Sequence, residues 1–300
     1  MLGIITCIRH PDSVEDFNQI KSLLSDTIRT LESQSSTDFK FYVVCNTGSN
    51  LIINTSVKVE IIEVNIDCPP YIEVIDVTTQ ELKWQSVRKD KGTKFYFGLQ
   101  RAKVDSLDYI MFIDGDDYLH KDVVKYIALN KYKFDGLIID KGYSYSKTSF
   151  LLGTITPFNE VCGTCNSYSM RILGRYISNK NFVSQDELLE NVDNNFIIKV
   201  LGSHLNAEFF IKSEEGIIGF FPFHASIYLV GHGQNDSKNS EVVGKPTILN
   251  NSIRKNFSLE GELHNCITNI YLFIYYRICY YLKLKLNDIR VKLLKINSQW

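Results

Sequence analysis

The stretch Tyr109-Ile110-Met111-Phe112-Ile113-Asp114-Gly115-Asp116-Asp117 is a short apolar run that ends in three carboxylates within four residues. An apolar run of this length, bounded by turn residues, predicts a buried strand of an α/β sheet. Ligands of such sheets bind just beyond the carboxyl ends of the strands, so the acidic cluster lies where chemistry is expected. Three carboxylates this close repel one another unless a cation neutralises them, and Mn²⁺ or Mg²⁺ suits oxygen ligands. The stretch therefore predicts a divalent-cation site at a sheet edge.

The composition is that of a globular protein of one large domain or two small ones. The chain has 300 residues, of which 44% are apolar and 22% charged. A formal net charge of -1 argues against nucleic acid as the main partner, because that role needs a basic surface. Seven cysteines without regular spacing indicate a reducing compartment, and Met1–Cys7 lacks the features of a signal peptide. We therefore expect a cytoplasmic location, with a peripheral position at the inner face of the membrane as an open alternative.

The first half of the chain alternates between strand and helix patterns. A βαβ order predicts an α/β fold with a mostly parallel sheet, flanked by helices and joined by right-handed crossovers. Ser13 is expected to cap the first helix, whose apolar residues from Phe17 to Leu31 recur at helical spacing. The remaining predicted strands cover Gly3–Ile8, Phe39–Cys45, Val57–Val64 and Gly136–Asp140, and the remaining predicted helices cover Phe95–Val104 and His120–Asn130.

The second half is less regular and ends in a separate tail. At least one strand pair is expected in Glu215–Tyr228, and the polar segment Gln234–Asn251 is expected to end the domain. We therefore predict a domain over residues 1–250 and a helical tail over residues 251–300. Cys266–Leu286 is rich in Tyr, Ile and Leu, and basic residues follow. Such a tail is typical of a helix on an anionic membrane surface, or of one packed on its own domain or on a second subunit.

Within the acidic turn, the spacing of the carboxylates favours a shared ligand. Asp114 and Asp116 are two residues apart, so in an extended segment their side chains point the same way, and Gly115 lets a phosphate approach the backbone. A solvated acidic turn is the alternative. An EF-hand loop starting at Asp114 is excluded because its sixth and twelfth positions are Leu119 and Lys125. A haloacid-dehalogenase phosphatase is disfavoured by Tyr118, which stands where Thr or Val is wanted.

Two basic segments are predicted near the same sheet edge. Arg88–Lys94 precedes the helix that leads into the acidic strand, where a basic loop would bind a diphosphate or a base; a plain surface loop is the alternative. Arg9 and His10 follow the first strand and belong to the same carboxyl edge. Cys162 and Cys165 form a C-x-x-C pair, but no second pair exists to complete a zinc site.

Taken in order, these segments resemble the family 2 glycosyltransferases, which have the GT-A (Rossmann-like) fold. The resemblance covers roughly residues 1 to 235, and its most specific part is the strand followed by Asp114-Gly115-Asp116-Asp117, which is similar to the family's DxD element. Asp90-Lys91-Gly92-Thr93-Lys94 with Gly98 is similar to its nucleotide-contacting lysine region. Gly231-His232-Gly233-Gln234-Asn235-Asp236-Ser237 is similar to the closing segment, where the family often places a metal-binding histidine.

The resemblance implies metal-dependent transfer of a sugar from a UDP- or GDP-linked donor to a hydroxyl of a saccharide or lipid-linked acceptor, with inversion, as in surface polysaccharide synthesis. Nucleotide contacts would come from Arg9, Asn46, Asp90, Lys91, Lys94, Asp114 and Gly115, with Asn46 standing where the family has a base-reading aspartate. Metal ligands would be Asp114, Asp116 and His232, a set that suits Mn²⁺ slightly better than Mg²⁺. Acceptor contacts would be Asn166 and Ser167.

The catalytic base has two candidate positions. The family's Glu-Asp base corresponds either to Asp186 and Glu187 or to His204, and the order of segments favours His204. A histidine held in the core or on the surface is the alternative for His204. Two rival functions remain: a non-catalytic nucleotide-sugar or glycan-binding module on the same fold, and a metal-dependent phosphohydrolase.

Overall fold

The structure is a computed structural model that describes residues 1–147, 149, 151–234, 241–259 and 266–297, without the side chains of 266–270 and 287–297. Asn235, Asp236 and Ser237 of the predicted closing segment lie outside the described residues. The strands are β1 (Leu2–Cys7), β2 (Phe39–Asn46), β3 (Val59–Val64), β4 (Tyr109–Asp114), β5 (Tyr118–Leu119), β6 (Gly136–Ile138), β7 (Gly142–Ser146), β8 (Leu152–Ile155), β9 (Asn166–Ser169), β10 (Ile218–Phe220), β11 (Ser226–Val230) and β12 (Lys245–Thr247).

The central sheet has seven strands in the order β10-β6-β9-β4-β1-β2-β3. β1 pairs in parallel with both β2 and β4, β2 pairs in parallel with β3, and β10 pairs in parallel with β6. Only β9 runs antiparallel to its neighbours β4 and β6. The predicted α/β fold with a mostly parallel sheet is confirmed, and this strand arrangement is GT-A-like.

A second sheet lies at the carboxyl end of β4. Its order is β12-β8-β7-β11-β5, and four described pairings join it, of which only β7 with β11 is parallel. The predicted strand pair of residues 215–228 therefore divides between two sheets, because β10 joins the central sheet and β11 the second one. This division places the end of β11 opposite the acidic turn.

The α-helices are α1 (Phe17–Glu32), α2 (Val77–Val104), α3 (Val123–Asn130), α4 (Met170–Leu173), α5 (Gln185–Asn191), α6 (Ala207–Ser213), α7 (Asn251–Asn256) and α8 (Cys266–Asn297). Short 3₁₀ turns occupy Pro11–Ser13, Phe158–Glu160 and Gly174–Tyr176, and a π-helix covers Phe196–Leu201. No helix within the described residues is long and apolar enough to cross a membrane.

Helices cover both faces of the central sheet. On one face, α1 and α3 pack against alternate strand residues such as Ile4, Phe41 and Met111. On the other face, Phe95 and Leu99 of α2 pack against the intervening strand residues. The strands are apolar on both faces because both faces are covered, which is the pattern of buried parallel strands.

Two helix starts differ from the sequence prediction. α1 is capped by Asp16, whose side chain accepts from the Asn18 amide, and not by Ser13, which belongs to a 3₁₀ turn. α2 begins at Val77, where Asp76 and Thr79 form a capping box. The basic segment 88–94 is therefore helical, and the prediction of a loop there was wrong.

The predicted linker and tail contribute to the body of the protein. β12 lies within the segment predicted as a linker and pairs with β8. α7 and the residues that follow it pack in a core cluster with Tyr118 and Tyr145, through Ile253, Phe257 and Leu259. The helical tail predicted from the sequence is confirmed for α8, whereas 251–259 form part of the packed structure.

Candidate active site

The carboxyl ends of β1 and β4 meet at one sheet edge, where Cys7 is in register with Asp114. A cavity of about 480 Å³ opens at this edge. Six of the predicted site residues line it, which are Arg9, Asp90, Lys91, Asp114, Gly115 and Asp116, together with the proposed base His204. The predicted coincidence of the acidic turn, the basic segment and the first strand end is therefore present in the structure.

Lys91 and Asp114 form an ion pair in the cavity wall, with Lys91 Nζ donating to Asp114 Oδ1. Burial alone would lower the pKa of Lys91, but the charge of Asp114 and its hydrogen bond outweigh that cost and raise it. Gly163 lies directly against this pair, because a Cβ there would collide with Asp114 Oδ2 and approach Lys91 Nζ within 2.9 Å. The pair is thus held tightly, and the protonated Lys91 neutralises one of the three carboxylates of the acidic turn.

Asp116 lies beside the turn that follows β11 and contains His232. Its Oδ2 is 3.2 Å from Nε2 of His232. Nδ1 of His232 accepts from the Gln234 amide at 3.2 Å, so Nε2 carries the proton and also lies 3.2 Å from the carbonyl of Leu229. In this arrangement His232 orients Asp116 through an N–H group.

The side chain of Gln19 in α1 holds the turn that contains His232 through two hydrogen bonds. Gln19 donates to the carbonyl of His232 at 2.6 Å and accepts from the side chain of Gln234 at 2.7 Å. Gly231 and Gly233 both have φ +77°, a left-handed backbone that glycine adopts without strain. These bonds join two segments more than 200 residues apart and close one end of the cavity.

The donor set fits a divalent cation that is shared with a diphosphate. The carboxylate of Asp114 is already paired with Lys91. The carboxylate of Asp116 is partly exposed, faces the cavity and has His232 beside it. Among the described residues no three His, Cys, Asp or Glu side chains cluster closely enough to hold a metal ion. Mg²⁺ and Mn²⁺ commonly bind through one or two carboxylates plus substrate phosphates and water, which is the type of site that Asp116 offers.

Asp117 faces inward and links the acidic turn to the C-x-x-C segment. Its carboxylate accepts from Thr164 Oγ1, from Cys162 Sγ at 3.1 Å and from the Leu229 amide at 3.2 Å. Burial, and then the negative charges of Asp116 and Asp114, raise the pKa of Asp117. Burial also raises the thiol pKa of Cys162 and Cys165, so these cysteines stay protonated and act in packing.

His204 lines the cavity as a neutral imidazole. Burial and then the positive charge of Lys91 lower the pKa of His204 to about 4. One ring nitrogen bonds the backbone of Glu160, whereas Nε2 is shielded from solvent and has no hydrogen-bond partner among the described atoms. A neutral Nε2 without a partner can accept a proton, and its low pKa makes it a weak base.

Close backbone contact fixes the segment that carries His204. A Cβ at Gly202 would collide with the carbonyl of Arg88, and a Cβ at Gly92 would collide with the carbonyl of Ile197, so both glycines allow α2 and the π-helix to touch. Asn166 donates to the carbonyl of His204 at 3.1 Å. The position of His204 is thereby set by three separate contacts.

Asp90 offers an unused acceptor to a ligand. Its Oδ2 binds Lys94 Nζ at 2.8 Å, and its buried Oδ1 has no partner among the described atoms. Lys94 is fully buried and also donates to the carbonyl of Ile8 at 3.0 Å. Lys94 therefore orients Asp90 and the end of β1. It does not line the cavity, so the predicted direct contact between Lys94 and the nucleotide is wrong.

Several predicted site residues lie away from the cavity. Asp186 is exposed at the start of α5, and Glu187 caps that helix through the Val183 amide and pairs with Lys180. The buried Asn46 donates to the carbonyl of Ile66 and so joins the ends of β2 and β3. Asn166 and Ser167 are buried in β9, where Ser167 donates to the carbonyl of Leu137.

The cavity also has lining residues that the sequence did not single out. Trp84 and Arg88 lie one helical turn apart on α2, and Leu205 follows His204. Tyr228 lines the cavity from β11. The i,i+4 spacing of Trp84 and Arg88 places both on one face of a helix, but the sequence prediction started that helix at Phe95 and so did not include them.

No protein-family model matches the chain, and no curated protein matches it. Among solved structures, the chain is similar to S. aureus TarS 1-349, with a TM-score of 0.40 and 12% identity over 76% of this chain and 60% of that chain. A longer S. aureus TarS structure gives a TM-score of 0.40 and 13% identity over 77% of this chain and 37% of that one. The chain spans less than two thirds of either TarS chain, and a likeness this distant carries no argument about function.

Proposed function

We propose that this chain is a metal-dependent inverting glycosyltransferase. It moves a sugar from a UDP- or GDP-linked donor to a hydroxyl of a saccharide or lipid-linked acceptor, in the synthesis of a surface polysaccharide. The observation that carries the proposal is the grouping of Lys91–Asp114, Asp116 with His232, and the unpaired neutral His204 around one cavity. A cation site and the Lys91 ammonium can stabilise a leaving diphosphate, and a base can deprotonate an acceptor hydroxyl.

In this proposal the chain's residues hold the donor on one side of the sugar. Asp116, kept in place by His232, would be the protein ligand of the cation, and Asp90 Oδ1 would accept a hydrogen bond from the nucleotide. Lys91 and Arg9 would face the diphosphate. The bound cation would neutralise negative charge that develops on the leaving diphosphate.

The acceptor hydroxyl would give its proton to Nε2 of His204. Its oxygen then bonds to the anomeric carbon while the bond from that carbon to the diphosphate oxygen breaks, which inverts the configuration. Since the pKa of His204 is about 4, the imidazole is already unprotonated at neutral pH and needs no prior loss of a proton.

The test is a thermal-shift and turnover assay with UDP, GDP and their sugar conjugates, each with Mn²⁺ and with chelator. We expect one nucleotide to stabilise the protein only with metal, since a specific ligand stabilises by mass action. Asp116→Asn should remove the metal-dependent part of the shift, and Asp67→Asn, an exposed carboxylate elsewhere, should leave it unchanged.

Turnover separates the proposal from its rivals. Release of the nucleoside diphosphate with a new glycosidic bond supports it. Metal-dependent nucleotide binding without turnover of any donor would instead establish a binding module. Release of a sugar phosphate without a glycosidic bond would establish a phosphohydrolase.

A further inference from the structure

Over residues 271–286, where its side chains are described, helix α8 contacts the body of the protein along one side. It packs against β12, and the Tyr276 hydroxyl donates to the carbonyls of Val242 and Gly244, both at 3.1 Å. Between residues 271 and 286, the side chains that are even half-buried are Leu272, Phe273, Tyr276 and Tyr280. The other side chains of that interval are exposed, so most of the helix surface in it is available to a partner.

The exposed side carries a continuous apolar stripe. Its members recur at helical spacing and lie about opposite the side that faces β12. Each is between 48% and 71% exposed, a degree that is unusual for six large apolar side chains in a row. The apolar stripe consists of Tyr271, Ile274, Tyr275, Ile278, Leu282 and Leu286.

Positive charges border the apolar stripe. A shallow depression of about 500 Å³ on this side is lined by Ile274, Ile278 and Leu282 together with Arg277 and Lys285. The Arg277 guanidinium lies about 6 Å from the aromatic rings on either side of it along the helix. Over the whole span 266–297 the sequence has six Lys or Arg residues and one acid, in a chain of net charge -1.

We propose that α8 lies on the surface of an anionic lipid bilayer. The apolar stripe would enter the boundary between headgroups and acyl chains, and Arg277, Lys283 and Lys285 would contact lipid phosphates. Tyrosines suit this depth because the ring is apolar and the hydroxyl stays hydrated. The proposal rests on α8 alone and is independent of the proposed transferase activity.

A second copy of the chain fits the same surface less well. A helix pair needs an apolar seam that continues along its whole length, with charges only at its margins. A heptad-spaced seam through Ile274, Ile278 and Tyr281 would reach Lys285 next, which lies two turns beyond Ile278 and one turn beyond Tyr281. On a bilayer the same lysine can bury its carbon chain and keep its ammonium among the phosphates.

The test is flotation of the full chain with vesicles of phosphatidylcholine alone and of phosphatidylcholine with 30% phosphatidylglycerol, a fraction on the order of that in anionic membranes. We expect binding to the anionic vesicles only, weakened by salt. The triple variant R277E/K283E/K285E should lower the partition coefficient by about 100-fold or more, since each cation near the surface contributes about fivefold and the introduced carboxylates are repelled by the anionic lipid. The variant I278S/L282S should also weaken binding, and its salt dependence should persist.

The matched control reverses three exposed lysines elsewhere, in K58E/K125E/K255E, and should bind as the unmodified chain does. Equal binding to both vesicle types, equal losses in both triple variants, or no binding at all would overturn the proposal. So would a dimer by light scattering that I278S/L282S converts to a monomer without lipid. Nucleotide binding measured on the same samples reports separately on the proposed transferase site.

Discussion

His204 combines three properties that are rarely found together in a histidine of ordinary packing. It lines the cavity, its Nε2 has no partner among the described atoms, and burial together with the neighbouring Lys91 holds its pKa at about 4. A buried nitrogen without a hydrogen bond costs stability, so its presence here points to a role in binding or chemistry. The exposed Asp186 has none of these properties.

His204→Gln should therefore lower kcat by about 10²- to 10⁴-fold, the usual contribution of a general base, and should change the KM for the donor little. The control is Asp186→Asn, which should keep full activity because this carboxylate is exposed on α5. Steady-state kinetics on both variants decide the assignment. Loss of activity in Asp186→Asn with retention in His204→Gln would reverse it.

The pH profile gives a second check on the same residue. A base with a pKa of about 4 is almost fully unprotonated from about pH 6 upward, so His204 should not limit kcat/KM between pH 6 and pH 8. A loss of activity caused by protonation of His204 should appear only as the pH falls toward 4. A loss of activity near pH 6.5 that disappears in His204→Gln would contradict the low pKa of this residue.

At the scale of elements, the contact between α2 and the π-helix decides where the segment that carries His204 lies. Gly92 and Gly202 bring the two backbones together, and π-helical turns of this kind often occur at functional sites. The amide of Gly202 bonds the carbonyl of Ile197 at 2.8 Å, the wider spacing of a π turn. Any side chain at Gly202 must push the His204 segment away from α2.

Gly202→Ala should consequently reduce the free energy of unfolding by about 2 kcal/mol or more, as overpacking against backbone does, and should lower kcat as well. The matched control is Gly174→Ala, where a Cβ meets nothing within 4 Å, so we expect no loss of stability and a gain of up to about 1 kcal/mol. Urea unfolding measures both. Equal effects of the two substitutions would show that the backbone contact is not rigid.

The elements also show which predictions a sequence supports. β1, β2 and β4 were predictable because strands that are buried on both faces read as unbroken apolar runs. The first half of α2 was not predictable in this way, because none of its side chains from Val77 to Asp90 is buried, whereas most of those from Gly92 to Ala102 are. Only the Asp76–Thr79 capping box marked its start.

At the scale of the whole molecule, the candidate site depends on contacts between distant segments. The acidic turn and the basic segment were predictable because parallel strand ends share an edge. The bonds of Gln19 to the His232 turn, and of Asn166 to the His204 segment, join residues separated by 213 and 38 positions. No local pattern encodes such pairings, so the sequence did not predict that the Asn166 amide holds the segment of His204.

The same long-range packing makes the stability of the molecule depend on pH through His120. This histidine packs against Phe223 in a tilted arrangement and against Phe257 edge to face, with ring centroids 4.6 and 5.4 Å apart, and so joins the start of α3 to the end of α7. Burial lowers the pKa of His120 to about 4. The unfolded chain therefore takes up a proton below about pH 6.5, whereas the folded protein does not until about pH 4.

The resulting stabilisation is present above pH 6.5 and is lost as the pH falls toward 4. Over that interval His120 should reduce the free energy of unfolding by up to about 3 kcal/mol, the product of the pKa difference and 1.36 kcal/mol per unit. His120→Phe keeps an aromatic ring between Phe223 and Phe257 and removes the titration. Urea unfolding at pH 7 and pH 4.5 should thus show a smaller acid-induced loss in the variant, by about 2 to 3 kcal/mol. Because His204 titrates equally in both proteins, an identical loss in the two would mean that His120 is open to protonation in the folded state.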